Sequence, residues 1–144
     1  MSNCNPRVDG AWDAVLGHRP DDVRASVGER FAENDIDPDR VRAVLRDMGD
    51  GLYTAATTGE KEWADGFGGP LGVALLAAEV SALAAHLNSR ASAVRAVAVD
   101  DLLEDFSAVT VAARLGVSRQ KVYEVARGGM PGTFIPHAFG GSHA

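Results

Sequence analysis

Apolar residues recur along this chain at spacings of three and four, the period of one helix face, and no stretch alternates convincingly as a half-buried strand would. Trp12, Val15 and Leu16 form a short patch closed by Gly17, which reads as one helical turn after a polar, frayed stretch over residues 1–10. Pro20-Asp21-Asp22 then suits a helix start, because proline fits the first turn and acids favour the positive end of the helix dipole. Val23, Val27 and Phe31, spaced by four, predict a helix to about Asn34 that Gly28 weakens modestly. Asp37-Pro38 opens the next, with Asp37 as cap and Val41, Val44, Leu45 and Met48 as its stripe. Gly49 and Gly51 end or interrupt it before Leu52, Tyr53, Ala55 and Ala56 carry helix to about Thr58.

Residues 59–69 read as a short turn around Trp63 and Phe67 and then a glycine joint. The Lys-Ser/Thr ending of a phosphate-binding loop is absent there. Pro70 begins the most apolar segment, a helix over 70–88 with Leu71, Val73, Leu75, Leu76, Val80, Leu83 and Leu87 spread around it. A helix apolar all round belongs in a core or at a dimer interface. Its length and its central Glu79 argue against a membrane span. Asn88-Ser89 reads as a break. A further helix over 90–105 follows, with Val94, Val97, Ala98, Leu102 and Leu103 on one face. The fold class expected is all-α, with six to eight helices.

The most informative stretch runs from Ser107 to Arg127. Ser107 can cap a first short helix whose buried face is Val111, Ala112 and Leu115. Gly116 stops it at a position that favours positive φ, and Val117 follows as an apolar plug. Ser118 can cap a second helix with Val122, Val125 and Ala126 on its apolar stripe. The small Ala112, with Gly116 four residues on and apolar residues at 111, 115, 117, 122 and 125, resembles the DNA-binding helix-turn-helix of bacterial regulators. The resemblance covers these 20 or so residues only. Ala112, Gly116 and Val122 would be its structural positions.

Inward packing of Val122, Val125 and Ala126 leaves Arg119, Gln120, Tyr123 and Arg127 facing outward. In this motif the second helix enters the major groove with its N-terminal residues on base edges. Arginine can pair with guanine there and glutamine with adenine. The base-contacting set expected is therefore Ser118, Arg119, Gln120, Tyr123 and Arg127, with Arg114 and Lys121 on phosphates. Glu124 could accept from cytosine, but the solvated face is the simpler place for it.

Charge sharpens this picture. The chain of 144 residues carries a net −6, but unevenly: ten Lys/Arg against nineteen Asp/Glu through residue 105, and four against one after it. An acidic body with a weakly basic end would orient the approach to DNA, and a single copy should bind weakly. The four histidines and the one cysteine (His18, His86, His137, His143 and Cys4) are scattered, so neither a metal site nor a cofactor is expected. The lone cysteine and the lack of a signal-like N-terminus fit the cytoplasm. No catalytic constellation stands out, so an enzyme is not expected; His18 has no identifiable partner.

Four parts are expected. Residues 1–10 are a flexible N-terminus, and 11–88 a helical region for dimerisation or partner binding. Residues 89–129 form the DNA-binding unit. The last, 130–144, is an irregular tail whose Phe134, Ile135 and Phe139 could dock on the body or on a second subunit. The function implied is sequence-specific DNA binding by a homodimeric transcriptional regulator. The competing reading is a protein-interaction module, antitoxin-like or a phage accessory protein. Its acidic region would bind a protein partner, and the hairpin would be structural or an auxiliary DNA tether.

Overall fold

Every regular element among residues 6–128, which the computed structural model describes, is helical. In chain order these are α1 (Pro6–Val15), α2 (Asp21–Glu33), α3 (Pro38–Arg46), α4 (Asp50–Thr57), a 3-10 turn (Asp65–Phe67), α5 (Gly69–Asp105), α6 (Ala108–Leu115) and α7 (Arg119–Arg127). The all-α expectation holds for the described residues. They form two compact units, one up to residue 86 and one from residue 87 onward. The frayed start is corrected in part: residues 6–10 already belong to α1, and the expectations for 1–5 and for the tail lie outside the described residues.

In the first unit α1 packs on α2 and α3, around a core that includes Trp12, Leu16, Phe31, Val41 and Leu76. Trp12 and Phe31 stack, with ring centroids 5.6 Å apart. Gly28 makes that stack possible, since a Cβ there would sit 2.8 Å from Trp12 Cγ. Its place in the helix is therefore set by packing, not tolerated as a weakness. Beyond α2 the chain reverses sharply: Asp35 takes φ +56° and the Ile36 N–H donates back to the Phe31 carbonyl at 2.9 Å. This closes the helix end and turns Ile36 into the core. Asp37 caps α3 by accepting from the Arg40 N–H at 2.8 Å. The interruption expected at Gly49 is present. Asp47 stabilises it, its two carboxylate oxygens accepting from the N–H groups of Gly49 and Gly51.

One expectation for α5 fails. No break occurs at Asn88-Ser89, and the helix continues through both. These residues cost only about 0.5 kcal/mol each relative to alanine in a helix, too little to stop one flanked by good helix formers. Of the two places expected for a helix apolar all round, the core of this chain covers little of it. Its most apolar 18-residue window has mean hydropathy 1.6, yet only 17% of it is buried. By length and composition alone the helix could cross a membrane.

The buried side of α5 in the first unit contains one charge. Glu79 is 1% exposed, and its carboxylate takes three contacts from the α1–α2 loop. His18 Nε2 lies 2.5 Å from Oε1, Arg19 Nε donates to Oε1 at 3.0 Å, and Arg19 Nη2 donates to Oε2 at 3.1 Å. Arg24 fixes the same loop from below, donating to the carbonyls of Leu16, Gly17 and Arg19. The hydrogen bond to Glu79 raises the Arg19 pKa above its ordinary value; burial opposes this and the Glu79 charge adds to it. Arg19 therefore stays protonated.

Glu79→Ala should lower stability by about 3 kcal/mol, the low end for breaking a buried pair, because Arg19 keeps some access to water. Urea unfolding measures this, and a loss under about 1 kcal/mol would show the pair to be dispensable. Gly28→Ala tests the packing argument by sign. Helix propensity alone would stabilise by about 1 kcal/mol, whereas the Trp12 clash should destabilise by about 1–3 kcal/mol.

Candidate nucleic-acid interface

The second unit is organised by a small core of Val99 from α5, Val111 and Ala112 from α6, and Val122 from α7. Leu103, Ala108, Val125 and Ala126 pack around it. Ser107 caps α6 by accepting from the Thr110 N–H at 3.2 Å. Gly116 closes it at φ +68°, and the Val117 N–H donates back to the Ala112 carbonyl at 3.0 Å. Ser118 then caps α7, accepting from the Lys121 N–H at 3.0 Å. The two helices are thus joined by three residues, two of which are themselves cap positions.

Burial on this hairpin is narrower than its apolar pattern suggests. Val122 is 0% exposed, but Leu115, expected on the buried face of α6, is 47% exposed, and Val117 is 38% exposed. On α5, Val94 and Leu102 face out, and the residues that reach the hairpin core are Val99 and Leu103. The reason is rotational phase. α5 turns toward the hairpin the face that carries 99 and 103, about one turn apart, and not the face through 94 and 102.

Seven polar residues were expected to contact DNA. Ser118, Arg119 and Gln120 come together at the N-terminal end of α7, all exposed. Lys121 and Tyr123 lie exposed in the next turn. Arg127 is separated from them: it ends α7, roughly 12 Å along the axis from Arg119, and its Nε donates to the Tyr123 carbonyl at 3.3 Å. Arg114 sits exposed in the last turn of α6, its guanidinium 5.5 Å from the centre of the Phe106 ring. Glu124 touches two of the set, accepting from Gln120 Nε2 at 3.4 Å and lying 4.0 Å from Lys121 Nζ. Contacts this long between half-exposed groups are worth only a few tenths of a kcal/mol, so both partners are free to exchange them for a ligand. Ala112 and Val122 are buried, as a close crossing of α6 and α7 requires.

What this surface offers chemically is a helix N-terminus with hydroxyl, guanidinium and amide groups at its end, and cations on its flanks. Such a helix end favours an anion through its unpaired N–H groups and its dipole. No group of three or more metal-ligating side chains occurs among the described residues. The pairing of Glu79 with His18 and Arg19 was missed by sequence reasoning. The one available signal was a single acid in a long apolar run, since a buried carboxylate must find a partner. Comparison of the chain with family models, with curated proteins and with solved structures gives no match.

The hairpin core makes a graded expectation. Val122→Ala should cost about 2 kcal/mol, as a fully buried truncation does, while Leu115→Ala should cost under about 1 kcal/mol because that side chain is half wet. Equal losses in thermal unfolding would place Leu115 in the core after all.

Proposed function

We propose that this chain is a sequence-specific DNA-binding protein, a transcriptional regulator acting as a homodimer, in which a helical body precedes a C-terminal helix-turn-helix. The observation that carries the reading is the rotation of α7. With Val122 fully buried and Ser118 capping, the helix exposes Arg119 and Gln120 at its N-terminal end and Tyr123 one turn further along the same side. That is the end and the face a recognition helix turns to base edges. Arg119 and Gln120 read bases in this account; Lys121 and Arg114 hold phosphates, and Arg127, at the far end, has the weakest basis for a base contact.

Dimerisation follows from two considerations. The hairpin end has only a small excess of positive charge, which suits one half-site better than a whole operator. Two-fold dimers place such helices about 34 Å apart, one turn of DNA. The largely unburied apolar window of α5 supports that helix as the dimerising element.

The second reading, a protein-interaction module, is favoured by one specific observation: Leu102, Phe106, Val109, Leu115 and Val117 all leave apolar surface exposed on the hairpin unit. Substitution separates the two. Arg119→Ala should cost about 1–3 kcal/mol on the preferred site and relax the preference at one base pair. Lys121→Ala should weaken all sequences alike and lower the salt slope by about one. Fluorescence anisotropy on a selected duplex and on scrambled DNA measures both. Unchanged affinity and preference in a folded Arg119→Ala protein would transfer the hairpin to the interaction-module reading.

A further inference from the structure

Three large apolar side chains left partly uncovered in the second unit surround one depression. Leu102 of α5, Leu115 of α6 and Val117 of the turn line a cavity of about 240 Å³, whose floor is Ala98, Val99, Val122 and Val125. Two cations complete its wall, Arg95 from α5 and Lys121 from α7, and none of its lining residues among those described is acidic. Among the described residues Arg95 makes no hydrogen bond or ion pair, and the contact of Lys121 with Glu124 is 4.0 Å long. The cavity therefore has an apolar interior and two available positive heads. Ligand sites are commonly of this kind, apolar with a few orienting polar groups.

We propose that this cavity binds a small amphipathic monocarboxylate. Its hydrocarbon part covers Leu102, Leu115 and Val117, and its carboxylate lies between Arg95 and Lys121. The space is that of about eight waters at the roughly 30 Å³ a water takes in the liquid, room for a ligand of on the order of ten non-hydrogen atoms. That corresponds to a medium-chain fatty acid or a short aryl acid. Charge complementarity selects the acid over an amine, because both heads are cations. The apolar lining selects it over acetate or phosphate, because a bare anion would leave the three side chains wet. The site stands apart from the reading of the hairpin as a DNA reader. Where both hold, the two ligands draw on Lys121 and exclude one another.

The test uses the full chain and four probes by isothermal titration: octanoate, 1-octanol, octylammonium and acetate. Octanoate should bind saturably and about tenfold or more tighter than 1-octanol, the gain of charge-assisted hydrogen bonds to the carboxylate. Octylammonium and acetate should show no saturable binding. Arg95→Gln, an exposed change outside the DNA-contacting set, should keep the circular dichroism spectrum and bring octanoate within about threefold of 1-octanol. Equal binding of octanoate and 1-octanol by the unaltered chain would overturn the proposal, since the cavity would then be merely apolar. Absence of octanoate binding, or octanoate binding indifferent to Arg95→Gln, would overturn it too. These readouts need no DNA, so their failure is distinct from failure of the DNA-binding reading.

Discussion

The rotation of α7 rests on one side chain. Val122 is the only α7 residue with no exposed surface, and it meets Val111 and Ala112 of α6 and Val99 of α5 in a core of four small residues. A helix of nine residues has too little intrinsic stability to hold a setting of its own, so packing decides which side faces out. Once Val122 is inside, Arg119, Gln120 and Tyr123 are outside. The two serine caps then fix where α6 and α7 begin, and Gly116 fixes the turn between them. The candidate interface is thus a consequence of one buried side chain and two hydroxyl hydrogen bonds, and the polar residues need only be present at the right phase.

The first unit solves a different problem. Its α5 segment is apolar enough to pack almost anywhere, and a uniformly apolar helix does not specify how it should be rotated against its neighbours. Glu79 removes that ambiguity. A carboxylate is tolerated in the interior only with its partners satisfied, so the one rotation that delivers it to His18 and Arg19 is strongly preferred to the others. Arg24 then ties the loop that carries both partners. The same unit holds most of the acidic excess, so in the proposed account it supplies orientation, turning phosphates away from everything but the hairpin.

Much of this was legible from the chain because local signals and packing agree. Asp37, Ser107 and Ser118 cap as their residue types suggest, and Gly116 takes the positive φ that its place in the turn requires. The readings that failed all depended on something a local pattern does not carry. Asn88-Ser89 resembles a cap pair, but a cap ends a helix only where the chain has a reason to turn, and the apolar flanks supply none. Leu115 and Val117 look like core residues by type, yet the hairpin is too small to cover them. The Glu79 partners lie about 60 residues away in sequence, a separation at which no spacing rule operates. Gly28 was visible as a glycine in a helix, but its reason, the face of Trp12, was not.

The central claim, that the N-terminal end of α7 is the surface that meets DNA, is tested most directly by amide chemical-shift mapping as a duplex is titrated into the 144-residue chain. The account predicts shifts concentrated at Ser118, Arg119, Gln120 and Tyr123, with smaller ones near Arg114, and residues 6–86 unaffected at sub-stoichiometric DNA. Perturbations confined to residues 6–86, or none at low salt, would contradict it.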